Sequence, residues 1–288
     1  MTTATTSLVA AALLLAAPCC HARLVEEKRW VSAKATDGYG HEVSRDIMVT
    51  IFYDDAAPKP WPALVLNHGR ATTGSARAAL GRAQYSVASR WFVEHGFIVA
   101  VPTRIGYGVT GGPDVEDTGY CAQKKYEPGY AASAAQTVTV LEYLRTWKEV
   151  AKDRAIVVGQ SFGGTTAITI ASMNVPGVQA TINFAGTGGG DPQGHPDDPC
   201  SAWKLKRLFA DYGKTSRIPT LWVYSENDHY SGPKLPREFF DGFRAAGGVG
   251  EFVQFPPNGE DGHSLFTHEP SWWQPKVLEF LRAQGFAQ

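Results

Sequence analysis

The segment Gly159-Gln160-Ser161-Phe162-Gly163 sets a single serine between glycines two residues away on either side. An apolar run, AIVVG, leads into it, and the helix-compatible SFGGTTAITIASM follows. A G-x-S-x-G turn between a strand and a helix presents a serine hydroxyl as a nucleophile. The glycines are needed for steric reasons. The serine backbone is forced into a strained turn, and side chains two residues before or after it would collide. The unpaired N–H groups at the start of the following helix point toward the hydroxyl side.

A serine hydroxyl is a poor nucleophile at neutral pH and needs a general base, which in turn needs a carboxylate to orient it. Both residue types occur later in the chain, in the order expected for a strand-to-helix serine turn. Asp228 follows the apolar run PTLWVYS, and His263 lies in PNGEDGHSLF after the run EFVQFP. Ser161, Asp228 and His263 thus read as nucleophile, orienting carboxylate, and general base then acid. Glu226 is the rival carboxylate, and His229 and His268 are the rival histidines. The non-catalytic alternatives are a turn or helix cap for Asp228 and a structural role for His263.

A tetrahedral oxyanion requires two hydrogen-bond donors. One is expected from the N–H after the nucleophile, Phe162, and the other from the loop after an earlier strand. The run ALVLNHGR ends such a strand, which makes the Arg70 N–H the second donor. His68 reads as a brace for this loop, and Gly69 as the point where backbone and substrate carbonyl approach.

The elements that must position these groups alternate along the chain. KRWVSAKA and SRDIMVTIFYD read as strands at the start, the second rich in β-branched and aromatic residues. Apolar strands ALVLNHG, FIVAVPT, AIVVG, QATINFAG, PTLWVYS and EFVQFP then alternate with helical segments. The pattern predicts an α/β fold: a mostly parallel sheet with helices on both faces and an antiparallel pair at one edge. Ligands in such sheets sit beyond the carboxyl ends of the strands, where Ser161, Asp228, His263 and the Arg70 loop all fall.

Composition narrows the function classes. The 27 Lys plus Arg nearly balance 28 Asp plus Glu, so no nucleic-acid footprint or basic membrane-binding face is indicated. A 43% hydrophobic and 19% charged chain of 288 residues suits one globular domain over residues 23–288. Residues 1–22, with SLVAAALLLAAPCCHA ending in small residues, read as a secretory signal peptide, although MTTATTS carries no Lys or Arg. The alternatives are a buried N-terminal helix or a lipoprotein anchor at Cys19 or Cys20. Cleavage after Ala22 leaves Cys121 and Cys200, and an even pair in an exported chain invites a disulfide; two unpaired cysteines are the alternative. Export places the protein in the periplasm or outside the cell, with no integral membrane segment in the mature chain.

NHGR, VVGQSFGG, SENDHY and DGHSLF resemble the α/β-hydrolase superfamily, and within it the dienelactone hydrolase-like branch with its exported bacterial esterases. The resemblance spans nearly all of the mature chain. It implies an α/β-hydrolase fold with no large cap domain and hydrolysis of a small-molecule carboxylic ester through an acyl-enzyme. Dienelactone hydrolases proper carry cysteine at the elbow, whereas this chain has Ser161, which favours a broader ester substrate. The chain also resembles the catalytic domains of prolyl oligopeptidase-type enzymes, so a peptidase or amidase is the second reading. A non-catalytic binding protein on the same fold is the third.

The longest insertion, RIGYGVTGGPDVEDTGYCAQKKYEPGY, reads as a loop over the site, pinned by the Cys121–Cys200 bridge. Tyr107, Tyr120, Trp203 and Tyr230 are candidates to line a substrate pocket, or else they pack loop cores. Arg70 and Arg104 follow strands that end near the site and are candidates to bind an anionic substrate group, or else they form structural ion pairs. No cofactor is implied, and no His/Cys cluster has metal-ligand spacing.

Overall fold

The computed structural model describes residues 24–286. The signal-peptide reading of residues 1–22 lies outside the described residues. In chain order the elements are β1 (Leu24–Thr36), β2 (Glu42–Asp54), β3 (Trp61–Asn67), α1 (Gly74–Ala78), α2 (Ser86–Glu94), β4 (Ile98–Thr103), α3 (Tyr126–Leu144), β5 (Val150–Gln160), α4 (Phe162–Met173), β6 (Val178–Phe184), α5 (Ala202–Thr215), β7 (Thr220–Ser225), α6 (Leu235–Ala245), β8 (Gly250–Phe255), α7 (Leu265–His268) and α8 (Pro270–Ala283).

One eight-stranded sheet runs in the order β1-β2-β4-β3-β5-β6-β7-β8. β1 and β2 form the antiparallel edge, in register from Leu24↔Asp54 to Thr36↔Glu42, and β2 also meets β4 antiparallel. All remaining neighbours are parallel. This is the mostly parallel sheet with an antiparallel edge that the alternating pattern predicts, and it agrees with the α/β-hydrolase fold that the resemblance implies, without a cap domain among the described residues.

The inner strands β3, β4 and β7 are buried along nearly their whole length because both faces are covered. In β3, Ala63 and Val65 point into one core with Val140, Leu144 and Ile170 of α3 and α4. Leu64 and Leu66 point into the other, with Phe92 of α2 and Trp273, Val277 and Leu281 of α8. Each fully buried Val, Leu or Phe contributes roughly 1.5–3 kcal/mol of transfer free energy. A third cluster joins Phe209 of α5, Trp222 of β7, and Phe239 and Phe243 of α6. The short helix α1 buries none of its residues and left no apolar period in the sequence.

Parallel pairing brings the carboxyl ends of β3, β5, β7 and β8 to one edge. Asn67 pairs with Gly159, and Ser225 with Phe255. The loops that begin there carry Arg70, Ser161, Asp228 and His263.

Candidate active site

Ser161 sits between β5 and α4 with φ 57° and ψ −123°, a strained conformation for a side chain with a Cβ. The flanking glycines are required by contact. A Cβ on Gly159 would strike the Gly163 carbonyl, and one on Gly163 would strike the carbonyls of Asn67 and His68. The Ser161 N–H donates to the Phe184 carbonyl at 2.8 Å, which anchors the turn to β6. Gly69 approaches the serine so closely that a Cβ there would lie 3.1 Å from Ser161 Cβ.

Asp228 is fully buried at the end of the β7 loop, and its Oδ1 and Oδ2 lie 3.1 and 3.0 Å from His263 Nδ1. With Nδ1–H donating to this carboxylate, Nε2 is the nitrogen left to accept a proton. Burial opposes protonation of His263, yet the Asp228 and Asp261 carboxylates outweigh it and raise the pKa above the ordinary 6.5. Of the two carboxylates in this loop, Asp228 meets the histidine, while Glu226 is exposed. His268 is exposed as well, and His229 faces Asp261 through its backbone rather than Asp228 through its ring.

Two side chains missed in the sequence connect these loops. Asp261 Oδ1 accepts from the backbone N–H groups of both His229 (3.1 Å) and His263 (3.0 Å), which clamps the β7 and β8 loops together. Gln160, the residue before the serine, donates from Nε2 to the His263 carbonyl at 3.2 Å and accepts from the Tyr85 hydroxyl at 2.7 Å. The signals for these two were their positions beside Ser161 and His263. Among the described residues no hydrogen bond joins the Ser161 hydroxyl to the His263 ring. In unliganded enzymes such bonds are often long and tighten when substrate arrives.

Neither the Arg70 N–H nor the Phe162 N–H has a hydrogen-bond partner among the described residues. Phe162 opens α4, where the first N–H groups have no acceptor within the helix. The Arg70 loop is braced from behind. His68 Nε2 accepts from the Arg104 N–H at 3.3 Å, and Arg104 Nη1 donates to the His68 carbonyl at 2.9 Å. Burial, with the Arg104 charge beside it, holds the His68 pKa well below its usual value, so the ring is a neutral brace.

The expectation that Arg104 and Tyr107 contact substrate is corrected here. Arg104 is fully buried, and its Nε lies 2.5 Å from Glu116 Oε1 in a buried ion pair. Tyr107 is 1% exposed, and its hydroxyl donates to Glu116 Oε2 at 2.7 Å. Burying a guanidinium without a partner is prohibitive, so the pairing that makes Arg104 tolerable also removes it from any ligand. The anion-binding expectation for Arg70 changes too: its guanidinium makes a two-pronged bond to Asp114, at 2.7 Å and 2.5 Å.

A cavity of about 640 Å³ opens beside the serine, with Ser161, Phe162, Arg70 and Tyr230 in its lining. One wall is the loop carrying Asp114, Asp117 and Lys124, and the other carries Thr187 to Asp191. Cys121 and Cys200 form a disulfide with Cα atoms 5.0 Å apart, and both line this cavity. Tyr126 strengthens the same seam by donating to the Gly188 and Cys200 carbonyls. Tyr120 and Trp203 are 88% and 61% exposed and are absent from the cavity lining, so they neither line the pocket nor pack a loop core. Among the described residues no group of three or more His, Cys, Asp or Glu is placed to hold a metal ion, and no helix is long and apolar enough to cross a membrane.

Solved structures share this architecture at low identity. An acetyl xylan esterase from Paenibacillus sp. R4 superposes with TM-score 0.59 at 14% identity, over 91% of this chain and 89% of that one. The Pyrococcus furiosus esterase Pf2001 gives TM-score 0.55 at 14% identity, over 89% and 91%. The acylaminoacyl peptidase of Pyrococcus horikoshii gives TM-score 0.61 at 16% identity over 91% of this chain, which spans 42% of the peptidase. Comparison with curated proteins finds no match. The sequence profile of the dienelactone hydrolase family matches residues 53–271, from the end of β2 into α8, and so takes in the serine turn, the Asp228 loop and the His263 loop. With the profile covering well over half of the chain, on the fold that its pattern predicts, the protein belongs to the dienelactone hydrolase family of α/β-hydrolases.

Proposed function

We propose that the protein is a serine esterase that cleaves carboxylic esters through an acyl-enzyme. The observation that carries this reading is the strained Ser161 turn beside a buried Asp228–His263 pair, with Gln160 bonding the serine turn to the histidine loop. Ser161 Oγ attacks the ester carbonyl as His263 Nε2 takes the hydroxyl proton. The tetrahedral oxyanion forms against the free N–H groups of Arg70 and Phe162, each donor contributing about 2.7–4 kcal/mol to the transition state. His263 then protonates the leaving alcohol, and the ester C–O bond breaks. In the second half, His263 deprotonates a water, which attacks the acyl carbonyl, and Ser161 departs with the proton as the acid is released.

Cleavage of amides is the second reading, favoured by the likeness to the catalytic portion of an acylaminoacyl peptidase. The same triad serves both reactions, and the leaving group decides between them. A non-catalytic binding role is disfavoured by the two unpaired N–H groups, which belong to Arg70 and Phe162, residues that line the cavity together with the serine.

Residues 1–22 are proposed to direct export and residues 23–288 to form one catalytic domain in the periplasm or outside the cell. The Cys121–Cys200 disulfide supports that compartment. The deciding experiment is hydrolysis of p-nitrophenyl esters of increasing acyl length by residues 23–288, beside Ser161→Ala. Activity that disappears in the variant supports the reading, and activity that persists overturns it.

A further inference from the structure

Tyr230 lies two residues beyond Asp228 and lines the cavity. Its ring lies on the His263 ring, with centroids 3.9 Å apart and planes 26° from parallel. The Tyr230 N–H donates to Asp228 Oδ1 at 2.9 Å, an oxygen that also lies 3.1 Å from His263 Nδ1. One carboxylate thus fixes the imidazole edge and the tyrosine backbone together. Gly190 packs against the base of the same side chain. A Cβ on Gly190 would fall 2.7 Å from Tyr230 Cδ1 and 2.8 Å from its carbonyl oxygen. The Tyr230 hydroxyl makes no hydrogen bond among the described residues, so the contact with His263 belongs to the ring face.

An aromatic face carries negative potential and attracts a cation set against it. The cation that arises here during the proposed reaction is the His263 imidazolium. We propose that Tyr230 is a positioning residue: its ring keeps the imidazole in the plane set by Asp228 and stabilises the imidazolium formed as Ser161 loses its proton. This inference rests on the triad reading. Asp228 and Asp261 are the carboxylates that act on His263, and Asp191 acts with them on Tyr230 from the opposite wall. All three stay in place when Tyr230 is replaced, so a change in His263 titration reports the ring.

The test is the pH dependence of kcat/KM for Tyr230→Leu, Tyr230→Phe and Gly190→Ala. Leu keeps water off the imidazole but has no π face. It should move the acid limb to lower pH by between about half a unit and one unit. It should also lower kcat about 3–10-fold, with KM little changed. Phe should restore the acid limb and most of kcat relative to Leu. Gly190→Ala crowds Tyr230 at Cβ and Cδ1, so that the ring must shift, and should move the limb in the same direction as Leu. NMR titration of His263 in the Ser161→Ala protein, with Tyr or Leu at 230, reads the same shift without turnover. It also shows whether each variant is folded.

An acid limb that stays in place or moves upward in Tyr230→Leu overturns the proposal. So does a loss confined to KM, which would make the ring a substrate platform only, or a Phe variant as impaired as Leu. Full activity in Ser161→Ala would remove the triad reading itself. An inactive Ser161→Ala beside an unshifted Tyr230→Leu removes this inference alone.

Discussion

The side chain of Gln160 spans two sides of the candidate site, donating to the His263 carbonyl at 3.2 Å and accepting from the Tyr85 hydroxyl at 2.7 Å. The Tyr85 hydroxyl in turn lies 3.4 Å from the Gly69 N–H, in the loop proposed to supply an oxyanion donor. Gln160→Leu would leave the Tyr85 hydroxyl and the His263 carbonyl without this partner. The expected cost is about 1–3 kcal/mol of stability for each such group. Hydrolysis should fall roughly 10-fold, mostly in kcat, because misplacing a reacting group costs rate before binding. Thermal melting and steady-state kinetics on one ester check both parts.

The Arg104–Glu116 pair predicts a stability effect without selectivity. Arg104→Met strands a buried carboxylate and should cost about 3–5 kcal/mol, seen as a lowered Tm. The rates on neutral and anionic esters should fall in the same proportion. A loss specific to anionic esters would return Arg104 to the substrate.

In the proposed mechanism the raised His263 pKa sets the acid limb of kcat/KM. That mechanism needs the neutral imidazole, so activity should decline as pH falls through a midpoint above 6.5. Asp228 and Asp261 both favour the protonated ring, so Asp261→Asn should move that midpoint down. Because Asp261 also clamps His229 and His263, some loss of kcat should accompany the shift. A midpoint that stays in place or rises in Asp261→Asn would contradict this electrostatic account.

The disulfide joins positions 79 residues apart at the cavity wall. Cys121→Ser with Cys200→Ser should cost roughly 2–4 kcal/mol by restoring entropy to the unfolded chain. The loosened seam should also raise KM more than it lowers kcat, since Ser161, Asp228 and His263 hang on other loops. Kinetics of the native protein with and without a thiol reductant give the same comparison. Unchanged Tm and KM would show that the hydrogen bonds across the seam, from Tyr126, Ser201 and Lys204, hold it without the disulfide.

The alternation of apolar strands with helices was legible in the sequence because each element's hydrophobic period is set by its own residues. Gly159 was legible for a similar reason, since a Cβ there would strike Gly163 within the same turn, whereas the clash avoided at Gly163 is with Asn67 and His68 of the β3 loop. The order Ser161, Asp228, His263 could be read because parallel strands deliver their loops to one edge. Other features depend on which segments meet after folding. Arg104 follows a strand just as Arg70 does, and nothing nearby distinguishes them. Only the folding of Glu116 and Tyr107 back into the interior makes one a buried structural cation, while the other meets Asp114 at the cavity. Likewise Tyr230 and Tyr107 are both aromatic residues in polar loops. One rests on His263 because Gly190, from a different loop, leaves room for its ring, and the other disappears into the Glu116 network. Burial and charge pairing are properties of distant segments brought together, and a linear pattern carries no record of the distance between them.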